Sequence, residues 1–206
     1  MADVVEPPEE VVIPERDEVV RLRRSVPDAL LKVKEERGMT FLCVQREAIV
    51  DVVRSLKEES GYDHFVECLG VDYSRWDHER DLEERFEVVY NLFNTSTMGR
   101  LFVKVGVDDG QTVPTLIPLF LGAEYPEREV QDLFGVIFEG NGPRPNERFL
   151  LSDDWIGYPL RKEYPLGGED VLFDRGDRGP AVEDVMVPHA GESFEGKTGS
   201  EDVSGR

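Results

Sequence analysis

Basic residues are scarce in this sequence. Lysine and arginine total 24 against 44 aspartates and glutamates, a formal net charge of -20. A chain this acidic repels nucleic acid and anionic lipid surfaces, so neither is expected as a direct partner. Cysteine and histidine are scarcer still: Cys43 and Cys68, then His64, His78 and His189. There is no C-x-x-C and no H-E-x-x-H, so no zinc or iron–sulfur site is expected on this chain. His64 and Cys68 stand four apart, which suits two ligands on a helix, but they fall in a β-like segment where that spacing is too long. Two thiols fit a reducing compartment. Long apolar runs are missing too. The longest, Val113 to Ala123, is about half the roughly 20 residues a membrane span needs, and Pro114 and Pro118 interrupt it. The opening MADVVEPPEE has neither a basic nor an apolar secretory region. A cytosolic protein is expected, reaching a membrane only through a partner. No nucleotide site is expected either. No G-x-G-x-x-G follows a strand, and no helix start stands behind the glycines after Phe138.

What is present reads as an α+β domain. Residues 1–13 are acidic and Pro-containing and are expected to fray. Pro14, Glu15 and Asp17 suit a helix start. Pro27 then splits the segment into two helices, about 15–25 and 27–37, with Gly38 as the stop. Met39 to Gln45 reads as a strand. Arg46 to Ser60 is an amphipathic helix with Ile49, Val52, Val53 and Leu56 on one stripe, closed by Gly61. Phe65 to Tyr73 reads as a strand. Phe86 to Leu92 and Leu101 to Val107 alternate with period two about the turn-rich NTSTMGR, an antiparallel hairpin whose Lys104 face should meet water or a partner. Pro114 and Pro118 argue against a central strand. A helix over 123–134 ends at Gly135, and Val136 to Phe138 can form one more strand. Residues 14–140 are thus read as the core. Residues 141–166 are a loop and an extended strap, and the Gly- and acid-rich tail, 167–206, orders mainly against partners.

Two stretches carry unusual chemistry. PEREVQDLFG places Glu127, Arg128, Glu129 and Asp132 within six positions, beside the apolar Val130, Leu133 and Phe134. On a helix Arg128 and Asp132 are i, i+4 and can pair. A solvated helix face, an interface and an acid/base site all remain open on local physics. A catalytic carboxylate would need a pocket and a second convergent group, and none is visible in the sequence. WIGYPLRKEYPL sets Trp155, Tyr158 and Tyr164 around Arg161 and Lys162, with Pro159 and Pro165 holding it extended. Aromatic and arginine residues on extended chain suit a protein-binding strand, or equally a strap over the domain's own core.

Together these blocks resemble the 30 kDa-type (C) subunit of respiratory complex I, the NADH:quinone oxidoreductase. Glu127-Arg128-Glu129-Val130, Asp132-Leu133-Phe134-Gly135, Phe138 and Gly140 follow the family's first motif block. Trp155, Gly157, Pro159-Leu160-Arg161-Lys162 and Tyr164-Pro165-Leu166 follow its second. The sequence departs at Asn141, where the family usually has His, and at Gln131, Phe120 and Tyr158. The resemblance implies an accessory subunit of the hydrophilic arm with no cofactor, metal or catalytic residue of its own. FMN and Fe–S clusters would belong to partners. It implies packing against the 49 kDa-type subunit and the Fe–S subunits, quinone handled by neighbours, and a peripheral place on the cytoplasmic side of the membrane. Glu127, Arg128, Glu129, Asp132, Phe134, Trp155, Pro159, Arg161, Lys162 and Tyr164 are the expected partner-interface residues. The alternatives are the equivalent subunit of a photosynthetic-type NDH, a ferredoxin- or F420-linked oxidoreductase or a group 4 hydrogenase. A stand-alone enzyme using Glu127, Glu129 and Asp132 is the rival of another class.

Overall fold

The structure is a computed structural model and describes residues 16–142 and 147–164. The expected N-terminal fray, the tail from 167 onward, Pro165 and Leu166 lie outside the described residues.

Helix α1 (Asp17–Ser25) carries Asp17 and Glu18 in its first turn and Arg23 and Arg24 in its last, both matched to the helix dipole. It buries Val19 and Leu22. The second expected helix is instead a strand. β1 (Leu30–Glu36) and β2 (Met39–Val44) form an antiparallel hairpin. The lysines and glutamates of β1 favour a helix in isolation. The turn decides otherwise: Arg37 and Gly38 both take positive φ, 54° and 77°, the geometry of a two-residue hairpin turn. β1 is also an edge strand, where charged side chains are at home.

Helix α2 (Ile49–Ser60) buries the stripe Ile49, Val52, Val53 and Leu56, and Gly61 closes it with φ 76°. β3 (His64–Asp72), β4 (Phe86–Phe93) and β5 (Arg100–Val107) complete a five-stranded sheet in the order β1-β2-β5-β4-β3. β4 and β5 pair antiparallel, as their alternation predicts, while β2 and β5 run parallel, so the sheet is mixed. Val88, Tyr90 and Leu92 alternate onto the same face as Leu101, Val103 and Val105, and pack with the helical residues into one core.

The other face behaves differently from expectation at Lys104. Its ammonium lies 3.1 Å from the buried Glu87 carboxylate and 5.4 Å from the centre of the Phe41 ring. The segment between β3 and β4 covers part of this face, with Leu82 buried and Asp81 paired to Lys32.

A smaller parallel pair, β6 (Thr112–Pro114) and β7 (Ile137–Glu139), brackets helix α3 (Glu124–Phe134). This crossover lays α3 against β3, where Gly70 leaves room for Phe134 and Val130: a Cβ there would lie 2.7 Å from the Phe134 ring. α3 ends at Gly135 with φ 77°.

Candidate functional site

The motif helix turns half of its charges inward. Glu127 is fully buried. One carboxylate oxygen accepts the Leu116 N–H at 2.9 Å and the Tyr90 hydroxyl at 3.2 Å. The other accepts the Thr115 hydroxyl and the Asn141 amide, the latter at 2.9 Å. Burial nevertheless raises its pKa above the usual carboxylate range, because these donors only partly offset the lost hydration. Asn141 also donates to the Glu124 carbonyl, so it ties β7 back to the start of α3.

Asp132 organises the loop that follows. One oxygen accepts three successive backbone N–H groups, from Phe149 at 3.2 Å, Leu150 at 2.7 Å and Leu151 at 2.8 Å. The other meets Arg148 at 3.2 Å. Burial opposes the charge, but the Leu151 and Leu150 N–H groups and Arg148 outweigh it and hold the carboxyl below its ordinary range. Arg148 then spends its second nitrogen on the Trp155 and Gly157 carbonyls, both at 2.9 Å. The expected Arg128–Asp132 pair does not form, because Asp132 points into this loop. Arg128 lies over the Phe149 ring instead, 5.2 Å from its centre.

Residues 155–164 are not extended. They form successive turns, closed by Arg161 N–H to Tyr158 O and Tyr164 N–H to Arg161 O. The Leu160 N–H reaches the Leu133 carbonyl at the end of α3. Proline bars helix, but Gly157 at φ 86° allows the chain to double back. Arg161 donates to the Phe134 carbonyl at 2.6 Å, pairs with Asp109 at 2.9 Å and stacks on the Phe86 and Tyr158 rings. Lys162 contributes its backbone N–H, 2.8 Å from Asp72. Arg85 meets Asp72, Asp109 and Glu163. Burial works against the Asp72 charge, yet Arg85, Lys162 N–H and Ser74 N–H hold its pKa at about 2. This cluster fastens the segment to the end of the sheet.

The expected interface residues therefore divide. Glu127, Asp132 and Phe134 are buried in the chain itself, and Arg128, Trp155, Pro159, Arg161 and Tyr164 are half-buried. Glu129 and Lys162 are exposed. Six large apolar side chains of α3 and its flanking segments also face outward, alongside the exposed Glu129, Glu147, Asp153 and Asp154: Leu121, Tyr125, Phe149, Leu150, Ile156 and Leu160, with Ile156 at 87% and Leu121 at 81% exposure. These are half of the twelve large exposed apolar residues described. Tyr125 and Phe149 stack with ring centres 5.6 Å apart. Sequence reading passed over these residues, although Leu121 and Tyr125 stand four apart across the start of α3. It also passed over GESFEGKT, Gly191 to Thr198, which fits the G-x-x-x-x-G-K-[ST] spacing. That stretch lies outside the described residues, and its Glu192 and Glu195 oppose a phosphate. Among the described residues no three His, Cys, Asp or Glu side chains gather as a metal site, and no helix is long and apolar enough to cross a membrane.

Large apolar side chains left in water around α3, beside an acidic motif whose Glu127 and Asp132 are buried, are the pattern of a protein that works within an assembly. Comparison with known proteins supplies the family. Residues 42–170 match the family described as the respiratory-chain NADH dehydrogenase 30 Kd subunit. The NADH-quinone oxidoreductase C subunit of Roseiflexus sp. (strain RS-1) is 44% identical over 156 residues, 74% of this chain and 85% of that protein. Its namesake in Roseiflexus castenholzii is 45% identical over 159 residues, 75% and 86% of the two chains. The namesake in Geobacter sulfurreducens is 40% identical over 153 residues, 74% and 90%. Among solved structures, a trypsin-resistant fragment of Nqo5 aligns with a TM-score of 0.51 at 30% identity, over 55% of this chain and 89% of that one. A chain of the membrane-bound sulfane sulfur reductase, an archaeal respiratory membrane complex, aligns with a TM-score of 0.59 at 28% identity, over 72% and 84%. This chain belongs to the 30 Kd subunit family of the respiratory-chain NADH dehydrogenase, and so works as one subunit of a multisubunit complex.

Proposed function

We propose that this chain is the scaffold subunit of the hydrophilic arm of an NADH:quinone oxidoreductase, and that the outer face of α3 with residues 147–160 docks it there. The whole complex would move electrons from NADH to quinone, coupled to proton translocation. Its FMN and Fe–S clusters would sit on partners, of which the 49 kDa-type and Fe–S subunits are the ones expected to meet this chain. Its place would be peripheral, on the cytoplasmic side of the membrane. One observation carries the reading: the apolar side chains that this face leaves in water. An exposed apolar cluster costs solubility and is characteristic of a surface that is covered in the assembly. Glu127 and Asp132 contribute by fixing the elements that present it rather than by touching the partner. The likeness to a chain of the sulfane sulfur reductase favours a second reading, the equivalent subunit of a related respiratory complex.

The test is to express the full chain within its complex carrying Leu121→Glu and Tyr125→Glu. Both side chains are exposed and only the Tyr125 stack on Phe149 is lost within the chain, so the isolated chain should stay folded and melt slightly below wild type. The purified complex should lose this subunit. Normal retention of the doubly substituted chain would remove this face from the interface.

A further inference from the structure

Residues 158–164 are held to the domain mainly by polar contacts. None of them is a member of the apolar core. The Lys162 N–H donates to Asp72 at the end of β3. The Leu160 N–H and the Arg161 side chain donate to the Leu133 and Phe134 carbonyls at the end of α3. Arg161 also pairs with Asp109 after β5, and Glu163 with Arg85 before β4. The Tyr158 ring meets two guanidinium groups, Arg161 at 4.6 Å and Arg148 at 5.2 Å from its centre. The residues just before are fixed separately: Arg148, itself held by Asp132, binds the Trp155 and Gly157 carbonyls. Gly157, at φ 86°, stands at the boundary between the two arrangements. A segment tied by charge and hydrogen bonds, with little apolar burial, opens at a lower free energy than the sheet it lies against.

We propose that residues 158–164 form a latch that opens and closes as one unit about Gly157, and that docking into the complex selects the closed state. Closed, the latch holds Leu160 on the docking face, 48% exposed, with its N–H tied to Leu133. Open, it carries Leu160 off that face. The apparent affinity of the chain for its complex then scales with the fraction of chains whose latch is closed. Asp72 is the positioning residue. Its side chain is fully buried, so no partner reaches it while the latch is closed. It gathers the Lys162 N–H, the Ser74 N–H and the Arg85 guanidinium, and Arg85 in turn binds Asp109 and Glu163. The inference rests on the docking reading above: the exposed apolar side chains give the face its area, and the latch controls when that face is complete.

The experiment replaces Asp72 by Asn in the full chain, which keeps the shape and removes the charge. Amide hydrogen exchange is followed at Leu160, Arg161, Lys162 and Tyr164, whose N–H groups all have acceptors in the closed latch. Val103 and Val105 report whether the sheet stays folded. All four latch amides should exchange faster by about tenfold, the loss of roughly one hydrogen bond to a charged group. Asp72 accepts only the Lys162 N–H, so acceleration of Lys162 alone would overturn the latch. Asp109→Asn, at an exposed site, touches none of the four N–H groups and should accelerate them together by a smaller factor. It decides by the same pattern if the sheet references of Asp72→Asn accelerate as well. In the purified complex the four wild-type amides should exchange more slowly than in the isolated chain, and the Asp72→Asn subunit should be retained several-fold less. If Leu121→Glu with Tyr125→Glu is lost while Asp72→Asn is retained like wild type, the latch does not control docking and the docking face stands. If both substituted chains are retained, both readings fall.

Discussion

Asp132 offers the sharpest test of how the motif acts, through its substitution by alanine. The carboxylate accepts the N–H groups of Phe149, Leu150 and Leu151 and pairs with Arg148. A hydrogen bond to a charged group contributes about 1.5–3 kcal/mol. Four such contacts share one carboxylate and are not additive, so the loss is about 3–5 kcal/mol rather than their sum. That loss should fall on the loop rather than on the sheet, because among the described residues the carboxylate binds only 148–151 and the core residues lie elsewhere. The three N–H groups should then exchange with solvent faster by about two to three and a half powers of ten, since each 1.4 kcal/mol is tenfold. Amide hydrogen exchange at 149–151 in the full chain measures this, with Val103 and Val105 of the central strand β5 as internal references. There is a matching acid limb. The folded carboxyl lies below its ordinary range, so its stabilisation is present above the unfolded pKa and is lost as pH falls through the folded value. Wild-type loop protection should weaken in strong acid, and Asp132→Ala should show no such limb. If protection at 149–151 survives the substitution while the whole chain melts earlier, Asp132 is a core residue and the loop is held by something else.

Two further substitutions probe neighbouring parts of the same unit. Gly135→Ala places a Cβ at φ 77°, 2.6 Å from the Tyr158 ring. It should cost about 1–2 kcal/mol for the left-handed backbone alone and more for the displaced ring. Gly38→Ala at a similar φ, with nothing within 4 Å, should lose the backbone part only. Urea titration of both chains would overturn this if they lost equal stability. Glu127→Gln addresses the buried acid. A carboxyl whose folded pKa is raised stabilises fully below its ordinary pKa, and that contribution is lost as pH rises through the folded value. Thermal melts from mildly acidic to neutral pH should decline less steeply for Glu127→Gln than for wild type, on a baseline lowered by about 1 kcal/mol for one mismatched hydrogen bond. Parallel profiles would show that Glu127 does not titrate in that window.

The elements legible in the sequence are those whose period is written locally. The β4–β5 hairpin follows from alternation, α2 from its four-residue stripe and Gly61, and α3 from its apolar stripe and Gly135. β1 was not legible, because LLKVKEE has the composition of a helix and the deciding feature is the pair of positive φ angles in the next two residues. The site shows the same division. PEREVQDLFG and WIGYPLRKEYPL stand out in composition and order, and they were enough to indicate the family.

Their division of labour was not legible in the sequence. Asp132 looks like the partner of Arg128, four residues away, yet it binds a loop 16 to 19 residues ahead. Lys162 looks like a free cation, yet its backbone is anchored to Asp72, 90 residues earlier. By itself the sequence determined the local periods, the shortage of metal ligands and the excess of negative charge. The tertiary structure alone decided which acids turn inward, because a carboxylate takes whichever N–H groups the packed chain brings within about 3 Å. The same packing left Leu121, Tyr125, Phe149 and Ile156 in water. A helix laid across a sheet has only one side to bury, and α3 uses that side for Glu127, Val130 and Phe134.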